Sequence, residues 1–368
     1  MEDDFRFADP LGPAKIVHLH APASGLRAVV VIDNVACGPA IGGVRMASDV
    51  SVEECVRLAR AMTLKNAAAG LPHGGGKSVI FADPHMPLAG KESLIRAFAG
   101  AIRDLYDYIP GPDMGTDERC MGWVHDEIGR AVGLPRVLGG IPLDELGATG
   151  FGVVAAIEAA LPYCGMSLTG ARVAVQGFGA VGRHAAGFLA AKGARLVAAS
   201  DSHATILDPL GLDVAALSRR KLAGESFADM TEGKRQPPDA IIDVPCDIWI
   251  PAARPDVLNG NNVGRLQARI VAQGANIPAT ADAEAALHAR GVVVLPDFIA
   301  NAGGVICAAM EYHGSHETAV FPAIAERIGR NTREMLERAT RSSDLPRAAA
   351  TAMAEQRVAE AASYRRQR

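Results

Sequence analysis

The sequence predicts a two-domain α/β protein: an N-terminal domain of mixed strands and helices, then a doubly wound parallel sheet. Three observations carry this expectation. A chain of 368 residues suits two domains at ~150 residues each. Val137 to Leu146 (VLGGIPLDEL) breaks the pattern of periodic segments. Beyond that break the order becomes strand, glycine turn, helix, strand, which is how parallel sheets are wound.

Taken in order, Ala28 to Asp33 (AVVVID) reads as a strand and Val52 to Ala69 as a helix. Leu71 to Ile80 reads as a glycine-rich turn leading into a short strand, Ser78 to Ala82. Lys91 to Tyr108 has helical periodicity, Gly111 to Thr116 is a Pro/Gly loop, and Glu118 to Val132 is helical again. After the break, Thr149 to Leu161 reads as a helix of small residues. Arg172 to Gln176 and Arg195 to Ser200 read as strands flanking a helix, Val181 to Lys192, which Gly193 ends. Ala240 to Val244, Ile248 to Ile250, Arg269 to Ala272 and Val292 to Leu295 have the character of further parallel strands, and residues 225–238 that of a polar excursion. Ala323 to Arg338 and Ala348 to Arg365 are helical and charged. The expected domains are 1–145, to which helices from about 330 to 368 return, and 146–329.

Composition narrows the function classes. Hydrophobic residues make up 49% and charged residues 21%, with a net charge of −4, ordinary for a soluble globular enzyme. No basic stripe with interleaved aromatics appears, so nucleic acid is not an expected partner. The acidic opening, MEDDFRF, lacks an apolar leader core. No uncharged apolar run is long enough to cross a bilayer, so no membrane is expected and the expected location is cytoplasmic. The six cysteines (Cys37, Cys55, Cys120, Cys164, Cys246, Cys307) are scattered without a CxxC pair. That suits a reduced setting and indicates neither a disulfide framework nor a zinc site. The ten histidines form no HxH or HxxxH cluster, and no metal is expected.

Gly177-Phe178-Gly179-Ala180-Val181-Gly182 fits GxGxxG. Alone the hexapeptide is a weak signal, but here a strand runs into it and an alanine-rich helix leaves it. Asp201 closes the next strand 19 residues after Gly182, close to the ~20 of a Rossmann-type dinucleotide fingerprint. Gly177 permits the tight turn, Gly179 lets backbone approach a pyrophosphate at the helix N-terminus, and Gly182 allows close packing on the sheet. Asp201 as acceptor for both ribose hydroxyls favours NAD. Ser202 and His203 beside it would tolerate a 2′-phosphate, so NADP is not excluded. An ordinary glycine turn with an ordinary turn aspartate is the bland alternative.

Two lysines flank a glycine cluster: Lys65 in TLKN and Lys77 in HGGGKS. A lysine buried from water loses its preference for the charged form, and near pKa ~7–8 it can act as a general base. A charged Lys65 can hold a carboxylate as a point charge. Asp113, in GPDMGT, could exchange protons with substrate or lysine. A phosphate-binding P-loop needs glycine at position 71, where Leu71 stands, so that reading fails on spacing. Lys65 as a solvated surface charge, and Asp113 as the cap of the following helix, remain open.

These residues carry a pattern. The chain resembles the glutamate/leucine/phenylalanine/valine dehydrogenase family over nearly its whole length. The matching pieces, in family order, are GPAIGGVRM (38–46), TLKNAAAGLPHGGGKSVI (63–80), GPDMGT (111–116), ATGFGV (148–153), VQGFGAVG (175–182), CDIWIPAA (246–253), QGAN (273–276) and NAGGVI (301–306). The resemblance implies a substrate and oligomerisation domain, a dinucleotide-binding domain, an active site in the cleft between them, and a homo-oligomer. It implies Lys65 as the α-carboxylate ligand, Lys77 as the catalytic lysine and Asp113 as its acid/base partner. Gly42 and Met62 join them as substrate contacts. On the cofactor side it adds Thr149 at the nicotinamide amide, Asn276 near the nicotinamide ribose, and Ala252 and Asn301. The partners implied are an L-amino acid, its 2-oxo acid and ammonia.

Two positions depart from the glutamate members. Where those resemble GPxKGG, with a lysine gripping the side-chain carboxylate, this chain has Ile41; where they place a serine seven residues after the NAGG asparagine, it has Ala308. An unpartnered γ-carboxylate against these two would be strongly unfavourable, whereas an apolar side chain would gain ~1.5–3 kcal/mol from burial. The expected substrate is therefore leucine, valine or phenylalanine in type. QGANIPAT and GPDMGT look more like the glutamate branch. Ile41 and Ala308 as plain core, glutamate as substrate, and a non-catalytic dinucleotide-binding regulator are the alternatives.

Overall fold

The computed structural model describes residues 5–365; the reading of residues 1–4 as part of a leaderless acidic start lies outside them. The chain forms two compact units. One comprises Met1–Leu143, Val305–Val320 and Met353–Arg368, the other Asp144–Gly304 and Phe321–Ala352. Of the C-terminal stretch expected to return to the first unit, only the part from Met353 does so, and Val305–Val320 belongs there too. The reason is packing. Phe321 stacks on Phe151 with ring centroids 4.4 Å apart, and the Ile328 side chain abuts Gly152, both within the second unit. Arg357, further on, donates to the Ala67 carbonyl at 3.3 Å.

The first unit holds β1 (Lys15–Ala21), β2 (Leu26–Asn34), β3 (Ala40–Ala47), α1 (Val52–Ala68), β4 (Gly74–Phe81), α2 (Leu88–Ala101), β5 (Tyr108–Pro112) and α3 (Glu118–Ile128). Its sheet runs β1-β2-β4-β3-β5, with β1, β2 and β4 antiparallel and β3 parallel to both β4 and β5. Two expectations are corrected here. The glycine run of HGGGKS is strand, not turn, and Tyr108 begins a strand instead of ending a helix. Strands β1 and β3 carry no signal recognised in the sequence.

Helix α1 explains Gly75. Its Ser51 cap accepts from Glu54 N at 3.1 Å, and Glu53 and Glu54 complement the helix dipole. Asn66 on its last turns donates to the Gly74 carbonyl at 2.7 Å. A Cβ on Gly75 would fall 2.0 Å from Thr63 N, so only glycine lets this helix lie on the strand. On the opposite face Ile95, Phe98, Tyr108 and Met121 are fully buried; each such side chain contributes about 1.5–3 kcal/mol.

The remaining elements are α4 (Leu143–Leu146), α5 (Ala148–Ala160), β6 (Arg172–Gln176), α6 (Ala180–Ala191), β7 (Arg195–Ser200), β8 (Thr205–Leu207), α7 (Val214–Leu222), β9 (Lys234–Gln236), β10 (Ile248–Pro251), β11 (Ile270–Ala272), α8 (Ala281–Ala289), β12 (Val293–Leu295), α9 (Asp297–Ala300), α10 (Gly303–Tyr312), α11 (Val320–Ser342) and α12 (Pro346–Ser363). The second sheet runs β12-β11-β10-β6-β7-β8-β9. Strands β12 to β7 in that order are parallel, while β8 and β9 pair antiparallel at one edge. The sheet is thus mixed, not wholly parallel. The polar excursion contributes β9, and Ala240 to Val244 forms a 3-10 turn instead of a strand, burying Ile241 and Ile242 beneath the sheet. Strand order reverses at β6, which lies between β7 and β10, and doubly wound sheets bind ligands at that position. No helix among the described residues is long and apolar enough to cross a membrane.

Candidate functional site

The parallel strands of the first unit bring three charged side chains together. Lys77 sits within β4 with its side chain 8% exposed and pairs with Asp113 Oδ2. Asp113 follows the end of β5, in a loop fixed by Thr116: Asp113 N donates to Thr116 Oγ1 at 3.0 Å, and that hydroxyl donates to the Val44 carbonyl at 2.7 Å. The following helix is capped by Asp117, which accepts from Cys120 N at 2.9 Å, so Asp113 is not its cap. Asp113 Oδ1 accepts from Met114 N at 2.6 Å and faces Arg45 Nη2 at 3.5 Å. Arg45, from the end of β3, pairs on its other side with Glu54 of α1.

Burial is the main force on Lys77. It pushes the ammonium from its usual 10.5 down to about 7, aided by the positive charges of Arg45 and Lys65 and opposed by Glu54. Lys65 lies in the last turn of α1, half-buried and near enough for its charge to act on Lys77. Met62, one turn earlier, is half-buried. Gly42 and Ile41 lie on β3, where Ile41 pairs with Gly75 and Ile109 on the flanking strands. The Gly42 carbonyl accepts from the fully buried Tyr108 hydroxyl at 2.9 Å. Ile41 and Ala308, the latter on α10, are both buried. Lys65, Lys77, Asp113, Gly42, Ile41, Met62 and Ala308 thus fall in one unit.

The expected cofactor residues all fall in the other unit. Gly177 has φ +89°, the conformation glycine adopts without cost, and its hydrogen faces the Ala252–Ala253 backbone. A Cβ on Gly182 would lie 2.0 Å from the Gly177 carbonyl oxygen. No side chain caps α6, whose cap residue is Gly179, and nothing among the described residues lies within 4 Å of a Cβ built there. The free N–H groups of that first turn, with Ala180 and Val181 at its start, suit a pyrophosphate. The Phe178 side chain is buried against Phe227, ring centroids 5.5 Å apart, leaving its backbone for contact. Thr149 is the second residue of α5, and Ala252 N donates to the Gln176 carbonyl at 2.7 Å. Asn301 Nδ2 donates to Asn276 Oδ1 at 3.0 Å, while Asn301 Oδ1 and Gln176 Oε1 are buried without a partner. Orphaned buried acceptors at this end of the sheet fit an amide- and hydroxyl-bearing ligand.

Asp201 differs from expectation. Oδ1 accepts from His203 N at 2.9 Å and Ala204 N at 3.0 Å; Oδ2 accepts from Lys221 Nζ at 2.7 Å and Phe227 N at 2.8 Å. Burial alone would raise its pKa, but Lys221 and these N–H groups overcome that and hold the carboxyl at about 2. Its acceptors are already engaged, so it is not a carboxylate waiting for two ribose hydroxyls. Three residues here escaped the sequence reading: Arg45, Glu54 and Lys221. Arg45 alone left a signal, since it lies within GPAIGGVRM; the other two stand on helices with no motif around them.

Comparison with known proteins follows from this geometry. Residues 139–366 match the profile of the Glutamate/Leucine/Phenylalanine/Valine dehydrogenase family, and residues 13–130 match that of the Glu/Leu/Phe/Val dehydrogenase dimerisation domain. The chain is 40% identical over 306 residues to an NADP(+)-dependent glutamate dehydrogenase of Pyrobaculum calidifontis, covering 76% of this chain and 70% of that protein. The hetero-hexameric glutamate dehydrogenase from Thermus thermophilus, in a leucine-bound form, superposes with a TM-score of 0.84 at 31% identity, covering 95% of this chain and 89% of that one. L-tryptophan dehydrogenase from Nostoc punctiforme gives 0.75 at 27% identity, covering 95% and 97%.

Proposed function

The chain belongs to the glutamate/leucine/phenylalanine/valine dehydrogenase family, and on that premise we propose that its substrate is an L-amino acid with an apolar side chain. It is an amino-acid dehydrogenase, an oxidoreductase acting on a CH–NH2 donor with NAD or NADP. The observation behind the apolar substrate is the pair Ile41 and Ala308, both buried and neither able to partner a carboxylate. A second reading, glutamate, is favoured by the name of the Pyrobaculum relative at 40% identity. Two proposals go with the first reading. The unit carrying Lys77 binds substrate and forms homo-oligomer contacts, for which the dimerisation-domain match over 13–130 speaks. The unit with the glycine turn binds the dinucleotide.

The proposed roles are those the family resemblance implies, and each suits the chemistry of its side chain. Lys65 holds the α-carboxylate as a point charge. The residues proposed to hold the dinucleotide are Gly177 to Gly182 at its phosphates, with Thr149, Ala252, Asn276 and Asn301 at its nicotinamide end; when bound, it accepts the hydride from Cα. Lys77, largely neutral above about pH 7, takes a proton from the water that attacks the resulting iminium carbon. Asp113 relays to the departing nitrogen the proton that Lys77 took from water, and as ammonia leaves, the hydroxyl gives its remaining proton back to Lys77 and the C–O bond becomes the carbonyl of the 2-oxo acid. Water supplies that oxygen, and the two electrons leave as hydride.

The test is reduction of NAD and of NADP with L-leucine, L-valine, L-phenylalanine and L-glutamate at alkaline pH. Turnover with an apolar amino acid and little with glutamate is expected. Turnover with glutamate alone would overturn the reading from Ile41 and Ala308.

A further inference from the structure

The Asp113 carboxylate separates two cations. Lys77 pairs with one oxygen, and Arg45 Nη2 stands 3.5 Å from the other. Arg45 is 17% exposed and Lys77 8%, so little water screens them. Arg45 is anchored in turn by Glu54, and its buried Nε has no partner.

We propose that Arg45 is a positioning residue for the reaction: its permanent charge, held across Asp113 by Glu54, keeps Lys77 in the proton-accepting form. The inference rests on the reading of Lys77 as the base. A guanidinium cannot give up its proton in a protein, so of the two cations only Lys77 can relieve the repulsion. The charged and titratable groups acting on Lys77 come from three directions. Asp113 faces it from beyond β5 and Arg45 from β3; Glu54, Cys55 and Lys65 face it from α1. Burial pushes the Cys55 thiol up to about 12, so it carries no charge at neutral pH. Asp113, in contact, favours the charged lysine, as does Glu54; of the positive charges acting against them Arg45 is the largest, with Lys65 in support.

A purely structural role for Arg45 would lower activity without moving a titration, and this separates the two explanations. The full chain, in its native assembly, is measured as Arg45→Gln, Arg45→Lys and Glu54→Gln. One readout is the acid limb of kcat/KM against pH. The other is the Lys77 midpoint itself, read from competitive acetylation with acetic anhydride at the peptide bearing Lys77. Arg45→Gln is expected to raise both midpoints by about one unit, a loss of roughly tenfold at a pH below the wild-type limb. Arg45→Lys restores the wild-type position of both, and Glu54→Gln moves both the other way by less. A Lys77 midpoint unmoved by Arg45→Gln overturns the inference. If the lysine midpoint moves and the rate profile does not, Arg45 acts as proposed and Lys77 is not the base. Should Arg45→Gln fail to fold, Glu54→Gln decides: a Lys77 midpoint that stays or rises overturns the inference.

Discussion

The two halves of this enzyme make their sites from opposite materials. In the first unit the proposed site is a knot of charged side chains, Lys77, Asp113, Arg45 and Glu54, drawn from β3, β4, α1 and the loop after β5. In the second it is mostly backbone, a positive-φ glycine and an uncapped helix start, with two orphaned side-chain amide oxygens beside them. A backbone site works through shape, and shape is written in residue identity, since few residues but glycine tolerate φ +89°. A charged site works through burial, which no spacing of letters discloses.

That contrast can be broken by exchange. Lys77→Ala should cut kcat by roughly 10²–10⁴ while dinucleotide affinity, read by fluorescence titration, stays near wild type. Gly177→Ala should do the reverse. It places a Cβ 2.8 Å from the Ala252 backbone at a φ that costs an L-residue roughly 1–2 kcal/mol, so dinucleotide affinity should fall by about tenfold or more. Equal losses of affinity in the two variants would end the division of labour.

The substrate pocket sharpens the comparison from the charged side. Ile41→Lys with Ala308→Ser should move the ratio of kcat/KM for glutamate over leucine by at least about a hundredfold. An unchanged ratio would mean that these two positions are core and that the pocket lies elsewhere. The pH dependence of the parent enzyme is the next effect in size. Because Lys77 must be neutral to take a proton, and burial lowers its pKa to about 7, kcat/KM should rise with pH through that value and level above it. Each unit below costs about tenfold; a flat profile across the range would remove Lys77 as the base.

Legibility followed the same line. The strand–GxGxxG–helix unit appears where its spacing put it, with α6 at Ala180–Ala191 against the expected Val181 to Lys192. In contrast, β3 and the first half of β4 hid because AIGGVRMA and GGGK place glycines where strands usually carry branched residues, while Ser78 to Ala82 reads as a strand. Those glycines serve tertiary contacts: Gly75 admits α1 at Thr63, Gly42 lies on the Gly76 backbone, Gly43 faces Asp113 and Gly76 faces the Tyr108 ring. Edge strand β9 is three polar residues, Lys234–Gln236, held by pairing with β8 alone. Lys65, Lys77 and Asp113 stand out through motif order, but Arg45 and Glu54 gain meaning only once β3 and α1 bring Glu54 against Arg45, and Arg45 against Asp113.

The smallest predicted effect tests whether the second unit is free of tuned charge, and Asp201 suggests that it is not. In sequence, Asp201 reads as a free carboxylate that repels a 2′-phosphate and so favours NAD without excluding NADP. With Lys221 paired to it at 2.7 Å, its negative charge is offset, and the repulsion that would disfavour NADP is weakened. Lys221→Met removes the offset and leaves the Phe227, His203 and Ala204 N–H groups to hold the carboxylate ionised. The expected outcome is a fall in kcat/KM with NADP relative to NAD of about tenfold or less, since one charge partly exposed to water is worth roughly 1 kcal/mol. Measuring both cofactors at low and high salt checks the cause, because an electrostatic preference should shrink as salt screens it. If Lys221→Met instead leaves the ratio unchanged, Asp201 is only the pivot of its turn, and cofactor choice is a matter of shape like the rest of that unit.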